Sequence, residues 1–179
     1  NCTTTSRLLK FNYKLLYPLQ LVPMIIVREI LPADYKATSR VIQASLRDSF
    51  KPLYPQKLIE EFCSKYDLEK FKEKVKTVQL FVAEDKISKS ITGVIGIKDN
   101  QLRTFFVHPK HQGKGIGRKL YDYFEKVAKK RKLQKIILEG SPLGEPIYRQ
   151  FGFKKVKTIH KQRNGIPYTD AVMEKILES

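Results

Sequence analysis

VHPKHQGKGIGRKLYDYFEKVAKKR, residues Val107 to Arg131, decides the reading of this chain. The run LRTFFV, residues 102–107, precedes it, apolar and β-rich. At its centre stands Gln112-Gly113-Lys114-Gly115-Ile116-Gly117, and an amphipathic helical pattern follows. A strand, a glycine-rich turn and a helix together make an anion site. The turn exposes backbone N–H groups, and the helix N-terminus adds positive potential. The segment therefore predicts a domain that binds a phosphorylated cofactor.

Register narrows the choice. A Walker A loop needs Gly-Lys followed by Ser or Thr. Here Gly113-Lys114 is followed by Gly115, and Gly117 by Arg118. A dinucleotide fingerprint beginning at Gly113 and Gly115 needs glycine at 118, where Arg118 stands. A KH-type Gly-x-x-Gly fails for the same kind of reason, since neither 116 nor 118 is glycine. The pattern left is Gln-x-x-Gly-x-Gly, from Gln112 through Gly115 to Gly117.

The flanking chain reads as alternating strands and helices. Residues 25–31 (IIVREIL) are β-branched and alternate, and Pro32-Ala33-Asp34 opens a helix whose face carries Tyr35, Thr38, Ile42, Leu46 and Phe50. Pro52 and Pro55 interrupt the chain. A second helix carries Leu58, Ile59, Phe62, Cys63 and Tyr66 and continues through Leu68, Phe71 and Val75. VQLFVAE, ITGVIGIK and LRTFFV then form a meander with tight turns. After the glycine turn, Ile116, Leu120, Phe124, Val127 and Ala128 make the buried face of a helix over 116–131. KIILE, 135–139, suits a buried strand. Residues 144–151 predict a short helix ending at Gly152, and FKKVKTIHK and AVMEKIL are the last strands, about Asn164-Gly165. The order β-α-α-β-β-β-α-β-α-β-β predicts an α/β fold with a mixed sheet and helices on both faces.

A length of 179 residues suffices for one domain with a full core, and 41% hydrophobic content is ordinary. We expect a single domain over 24–179. Residues 1–23, which hold no acidic residue, read as an extension. The alternative is an arm packing through Leu15, Leu16, Tyr17 and Leu19. No run of 18 apolar residues occurs, so no membrane span is expected. Pro18 and Pro23 interrupt LLYPLQLVPMII, and no cleavage site follows it, against a signal peptide. The two cysteines, Cys2 and Cys63, and three histidines form no metal spacing or disulfide framework, so no metal is expected and the chain reads as cytoplasmic. A net charge of +17 suits nucleic acid, but interleaved Lys and Glu in EEFCSKYDLEKFKEKVK read as a solvated surface. Nucleic acid is therefore not the expected partner.

VHPKHQGKGIGRKLYDYFEKVA resembles the acetyl-CoA pyrophosphate motif of the GNAT (GCN5-related N-acetyltransferase) superfamily, Q/R-x-x-G-x-G/A after a strand ending in V-x-P. GEPIYRQFGFKKV is similar to the family's later Tyr-x-x-x-Gly-Phe signature, with Tyr148, Gly152 and Phe153. The resemblance covers about residue 24 to the end. It implies a GNAT-type acyl-CoA N-acyltransferase fold, with a central, mostly antiparallel sheet and helices on both faces. It also implies direct transfer of the acetyl group of acetyl-CoA to a primary amine in a ternary complex. On it, Gln112, Gly113, Lys114, Gly115, Ile116, Gly117 and Arg118 bind the pyrophosphate. The pantetheine lies between strands 102–107 and 135–139, with the thioester carbonyl near the N–H of Phe106 or Val107, and Ser141 stands where relatives often have Asn against the pantetheine. Tyr148 matches the general acid.

The base departs from the family pattern. Arg103 occupies the place where many relatives carry Glu, which leaves Glu139, with Glu84 behind it, as the candidate. The same departure admits an alternative, a CoA-binding regulatory module without catalysis. Phe50, Tyr54, Tyr168 and Asp170 are candidates for the acceptor cleft, His108 and His111 are expected at the surface, and relatives make a homodimer a reasonable assembly. The acceptor, small molecule or peptide, stays open.

Overall fold

Alternating apolar residues make the strands of the computed structural model, which describes residues 24–178. The chain runs through β1 (Ile25–Glu29), α1 (Tyr35–Phe50), α2 (Gln56–Cys63), α3 (Leu68–Val75), β2 (Gln79–Asp85), β3 (Ile91–Lys98) and β4 (Gln101–Val107). It continues through α4 (Ile116–Lys130), β5 (Lys135–Gly140), α5 (Glu145–Gln150), β6 (Lys154–Arg163) and β7 (Ile166–Ile176). The seven strands form one sheet in the order β1-β2-β3-β4-β5-β7-β6. Every neighbouring pair is antiparallel except β4 and β5.

The sheet is covered on both faces, because successive side chains of a strand point to opposite sides. On β3, Val94 joins Ile42, Ile59, Phe71 and Val82 under the first three helices. Its neighbour Ile95 joins Leu120, Phe124 and Met173 under α4. β3 is accordingly buried from Ile91 to Ile97.

Two elements differ from the sequence expectation. The helix expected to continue from Leu58 to Val75 is two helices joined by a 3-10 turn over Ser64–Tyr66. Asp67 has an extended backbone (ψ 147), which ends one helical path and begins the next. The Ser39 hydroxyl and the Gln43 amide of α1 both donate to the carbonyl of Tyr66, which fixes the break. The last strand begins at Ile166 instead of Ala171, directly after the Asn164-Gly165 turn, so β6 and β7 form a long hairpin. The expectation for residues 1–23, arm or extension, lies outside the described residues.

The feature that prepares the site is the middle of β4. Thr104 adopts a left-handed backbone (φ 57), and the register between β3 and β4 shifts there, passing from Gly96 opposite Arg103 to Val94 opposite Phe106. This is a β-bulge, and it turns β4 away from its next neighbour. Gly96 makes it possible. A Cβ at that position would lie 2.7 Å from the carbonyl oxygen of Arg103 and 2.6 Å from a Leu80 methyl. Beyond the bulge β4 and β5 part. They share the pair Gln101–Ile137 and the bond from the Ile137 N–H to the Asn100 carbonyl (3.0 Å), and no further pairing.

Candidate functional site

The splay between β4 and β5 opens into a cleft of about 640 Å³. It runs from the glycine turn at one end to α1, α2 and the β6–β7 hairpin at the other. Of the residues expected to bind the cofactor, with Tyr148 and Glu139, all line it except Lys114 and Arg118. Lys114 turns its ammonium onto the Lys110 carbonyl (2.9 Å), and Arg118 pairs with Asp122 (3.1 Å).

At the turn end the surface is made of backbone. Gly113 and Gly115 both have left-handed φ (71 and 76), and nothing stands within 4 Å of where a Cβ would be. Gly117 has no positive φ, and a Cβ there would make only ordinary contact, 3.6 Å from the Phe105 ring. Gly115 is the N-cap of α4, with no side-chain cap and no acidic residue in the first turn. The first N–H groups of α4 thus lack the side-chain acceptor that commonly satisfies them. Gln112 donates its side-chain amide to the Val107 carbonyl (3.1 Å), which ties the turn to the end of β4. An uncapped helix start beside an open glycine turn fits the pyrophosphate of a nucleotide-like ligand.

The two histidines are partly exposed, and each has a local role. His108 is half-buried and caps a 3-10 turn, its Nδ1 accepting from the Lys110 N–H (3.2 Å). His111 lines the cleft, and its buried Nδ1 has no hydrogen-bond partner among the described residues. Burial and then the nearby Lys114 charge hold His111 below its ordinary pKa.

Along β4 the ladder decides which amide is free. The His108 N–H donates to the Thr92 carbonyl (2.9 Å), and Gly93 stands opposite Val107. Alternation along an antiparallel strand then turns the Phe106 N–H towards β3 and the Val107 N–H into the splay. Across the cleft, the Tyr148 ring covers Gly140 and Gly144, where an added Cβ would lie 2.7 Å from it. Burial, then the neighbouring Tyr66 and Asp170, push the Tyr148 hydroxyl up to about 12. That hydroxyl is protonated throughout the neutral range.

The two carboxylates considered as bases sit differently. Glu139 lines the cleft, but Lys161 bonds it (2.7 Å) and holds it below the ordinary carboxylate range. The same ammonium bonds Asp170 (3.0 Å). Glu84 is remote from the cleft. It pairs with Arg28 (2.6 Å), which also holds Asp34 where α1 begins, and this is a structural tie between β1, β2 and α1.

At the far end, Phe50 meets Tyr54 and Phe62 edge to face and Tyr54 tilts against Phe62, with ring centroids 5.2–5.9 Å apart. Phe50, Tyr54 and Asp170 line the cleft as expected. Tyr168 packs on Phe62 (5.3 Å) and faces an adjoining cavity of about 210 Å³. The residues that sequence reasoning missed are Phe62, Lys65, Tyr66 and Lys74. Their helices read as a solvated Lys/Glu surface, and only the break at Asp67 turns Lys65 and Lys74 to one side.

A family model described as an acetyltransferase (GNAT) domain matches residues 50–177. Among solved structures, a GCN5-related N-acetyltransferase from Rhodopseudomonas palustris superposes with TM-score 0.78 at 22% identity, covering 87% of this chain and 96% of that one. The PaiA N-acetyltransferase of Thermoplasma acidophilum, in complex with coenzyme A, gives 0.70 at 24% identity over 86% and 99%. The ribosomal-protein-S18-alanine N-acetyltransferase of Escherichia coli gives 0.62 at 15% identity over 87% and 96%. At these identities the likeness is one of fold. No curated relative matches the chain.

Proposed function

The chain belongs to the GNAT acetyltransferase family, and on that premise we propose that it moves the acetyl group of acetyl-CoA to a primary amine by direct attack in a ternary complex. One observation carries the proposal. The cleft is continuous from the uncapped start of α4, past the splayed Val107 amide and Tyr148, to an aromatic end that admits a second substrate. The coenzyme A held by the Thermoplasma acidophilum structure supports the same ligand here. In this reading residues 24–179 act as one domain, and the protein works in the cytoplasm.

The thioester supplies an activated acetyl group, and the protein supplies position and charge. The N–H groups of Gly113, Gly115, Ile116 and Gly117 hold the pyrophosphate, with Gln112 keeping the turn in place and Lys114 and Arg118 swinging in from the rim. Ser141 and the β4 edge hold the pantetheine. The Val107 N–H, with Phe106 beside it, faces the carbonyl oxygen as negative charge develops there. Tyr148 keeps its proton for the departing sulfur. Glu139 and Asp170 line the cleft and Lys161 bonds both; Glu139, held low by that bond, is a weak base, so the amine must arrive neutral, and the proton it sheds as the amide forms passes to water. Calorimetric titration with acetyl-CoA tests the cofactor half, and absence of binding at high micromolar ligand would sink the reading.

Arg103 at the usual base position, with Glu139 already engaged, favours a second reading: a CoA-binding regulatory module without turnover. Thiol release with a broad amine panel, abolished by Tyr148→Phe, rules it out.

A further inference from the structure

Three cations line the acceptor end of the cleft without a carboxylate partner. Lys65, Lys74 and Arg103 all line it, and among the described residues none of them is in an ion pair. The undescribed residues 1–23 hold no Asp or Glu that would change this. Aromatic rings take the place of carboxylates. The Lys74 ammonium lies 4.6 Å over the Tyr66 ring, and the Lys65 ammonium 5.3 Å over the Phe62 ring. Among the described residues the Arg103 guanidinium bonds only the neutral amide of Gln101.

The two carboxylates nearby are not free to serve these cations. Lys161 holds both Glu139 and Asp170, and Arg163 faces Glu61 (3.6 Å). Lys74 is half-buried; burial first, then Arg103 and Lys65, hold it below its ordinary pKa. Lys65 is depressed likewise by burial, then by Arg163 and Lys161. Lys65 and Arg103 are exposed and Lys74 is half-buried beside them, so the cleft wall gathers charge of one sign and attracts an anion.

The phosphates of the cofactor do not supply that anion in our reading. They belong to the glycine turn, which follows Val107. Arg103 stands four residues earlier on β4, roughly 13 Å back along the strand at about 3.3 Å per residue. The intervening pantetheine arm is uncharged. The anion must therefore arrive with the acceptor.

Resting on the transferase reading, we infer that the acceptor is a primary amine with an anionic group on an apolar body, the chemistry of an apolar amino acid. Lys65, Lys74 and Arg103 recognise its carboxylate, and Phe50, Tyr54 and Phe62 hold its body. The amine is left directed at the splay, where Tyr148 and Val107 stand. Basic acceptors such as polyamines are disfavoured by the same three charges.

The test needs no turnover. 3-Phenylpropionate carries the carboxylate and the apolar body but no amine; 3-phenylpropionamide is its neutral match. Both are titrated by ligand-observed NMR into the full chain, with and without saturating coenzyme A. The carboxylate is expected to bind roughly tenfold or more tighter than the amide, the size of a charge-assisted contact. The preference should vanish in Lys74→Gln/Arg103→Gln and shrink in the wild type between about 0.05 M and 0.5 M salt, while amide binding holds. The salt series keeps the test open if the double variant fails to fold, which its circular dichroism melt reports. Equal affinity for acid and amide, binding of neither, or a preference untouched by both salt and substitution overturns the inference. Failure of the wild type to bind coenzyme A overturns the transferase reading instead.

Discussion

The two ends of the cleft are built by different means. On the proposed reading, the cofactor end works through main-chain amides of one continuous segment, freed by two left-handed glycines and an uncapped helix. At the acceptor end the working groups are side chains from α1, α2, the 3-10 turn before α3, α3, β4 and β7. Backbone sites are set by local geometry and tolerate varied side chains around them. Side-chain sites are set by tertiary packing, and their charge pattern is free to change with the substrate. A single fold thereby keeps one cofactor and admits many acceptors.

Tyr148 stands where the ends meet, and its removal should have the largest effect. Tyr148→Phe keeps the ring over Gly140 and Gly144 and deletes only the proton. We expect kcat for thiol release to fall about 100-fold or more, with the calorimetric affinity for acetyl-CoA held within twofold. Equal loss of both would place Tyr148 in the cofactor end and blur the distinction between the two.

The bulge that separates β4 from β5 serves both ends, so Gly96→Ala should damage them together. The carbonyl of Arg103, 2.7 Å from the new methyl, belongs to the backbone and cannot rotate away. Overpacking of this kind costs about 1–3 kcal/mol, read as a lower urea midpoint. An unchanged midpoint would mean that β4 relaxes freely and that the splay is not held by Gly96.

The sequence made one end legible and left the other dark for the same reason. Gln112, Gly115 and Gly117 lie within six consecutive residues, and glycine in a turn before a helix is a local signal. Tyr148 and Phe153 were readable through a short fixed spacing. Lys65 and Lys74 were unreadable, because a lysine on an amphipathic helix looks the same whether water or a cleft faces it. The break at Asp67, which sets both on the cleft, depends on Ser39 and Gln43 reaching the Tyr66 carbonyl from 23 or more residues away. Glu139 was found by position, but its partner Lys161 lies on another strand, so its low pKa was hidden.

Gly115→Val sharpens the contrast from the cofactor side. Valine at φ 76 is strained by about 1–2 kcal/mol, and acetyl-CoA affinity should weaken roughly tenfold. 3-Phenylpropionate binding at the other end should not move. A parallel loss there would show that the two ends are coupled through α4.

The smallest effect separates two sources of the acid limb. Lys161 is subject to burial, which lowers its pKa, but its bonds to Glu139 and Asp170 outweigh that and raise it above 10.5. The Lys161 bond, with a smaller opposing effect of burial, leaves Glu139 below its ordinary 4.5. The pair therefore stabilises the fold between those values. The stabilisation is lost as pH falls through the depressed pKa of Glu139, and again as pH rises through the raised pKa of Lys161. Glu139 is 44% exposed, so screening limits the pair to a few tenths of a kcal/mol, at most about 1. In Lys161→Met that small loss should appear at pH 7 and disappear in acid, as followed by urea titration at several pH values. The same variant lets the pKa of Glu139 rise. If Glu139 is the base, the acid limb of kcat/KM moves to higher pH. If the neutral fraction of the amine governs the rate, as the Glu139–Lys161 bond argues, the limb follows the pKa of the acceptor and stays where it was.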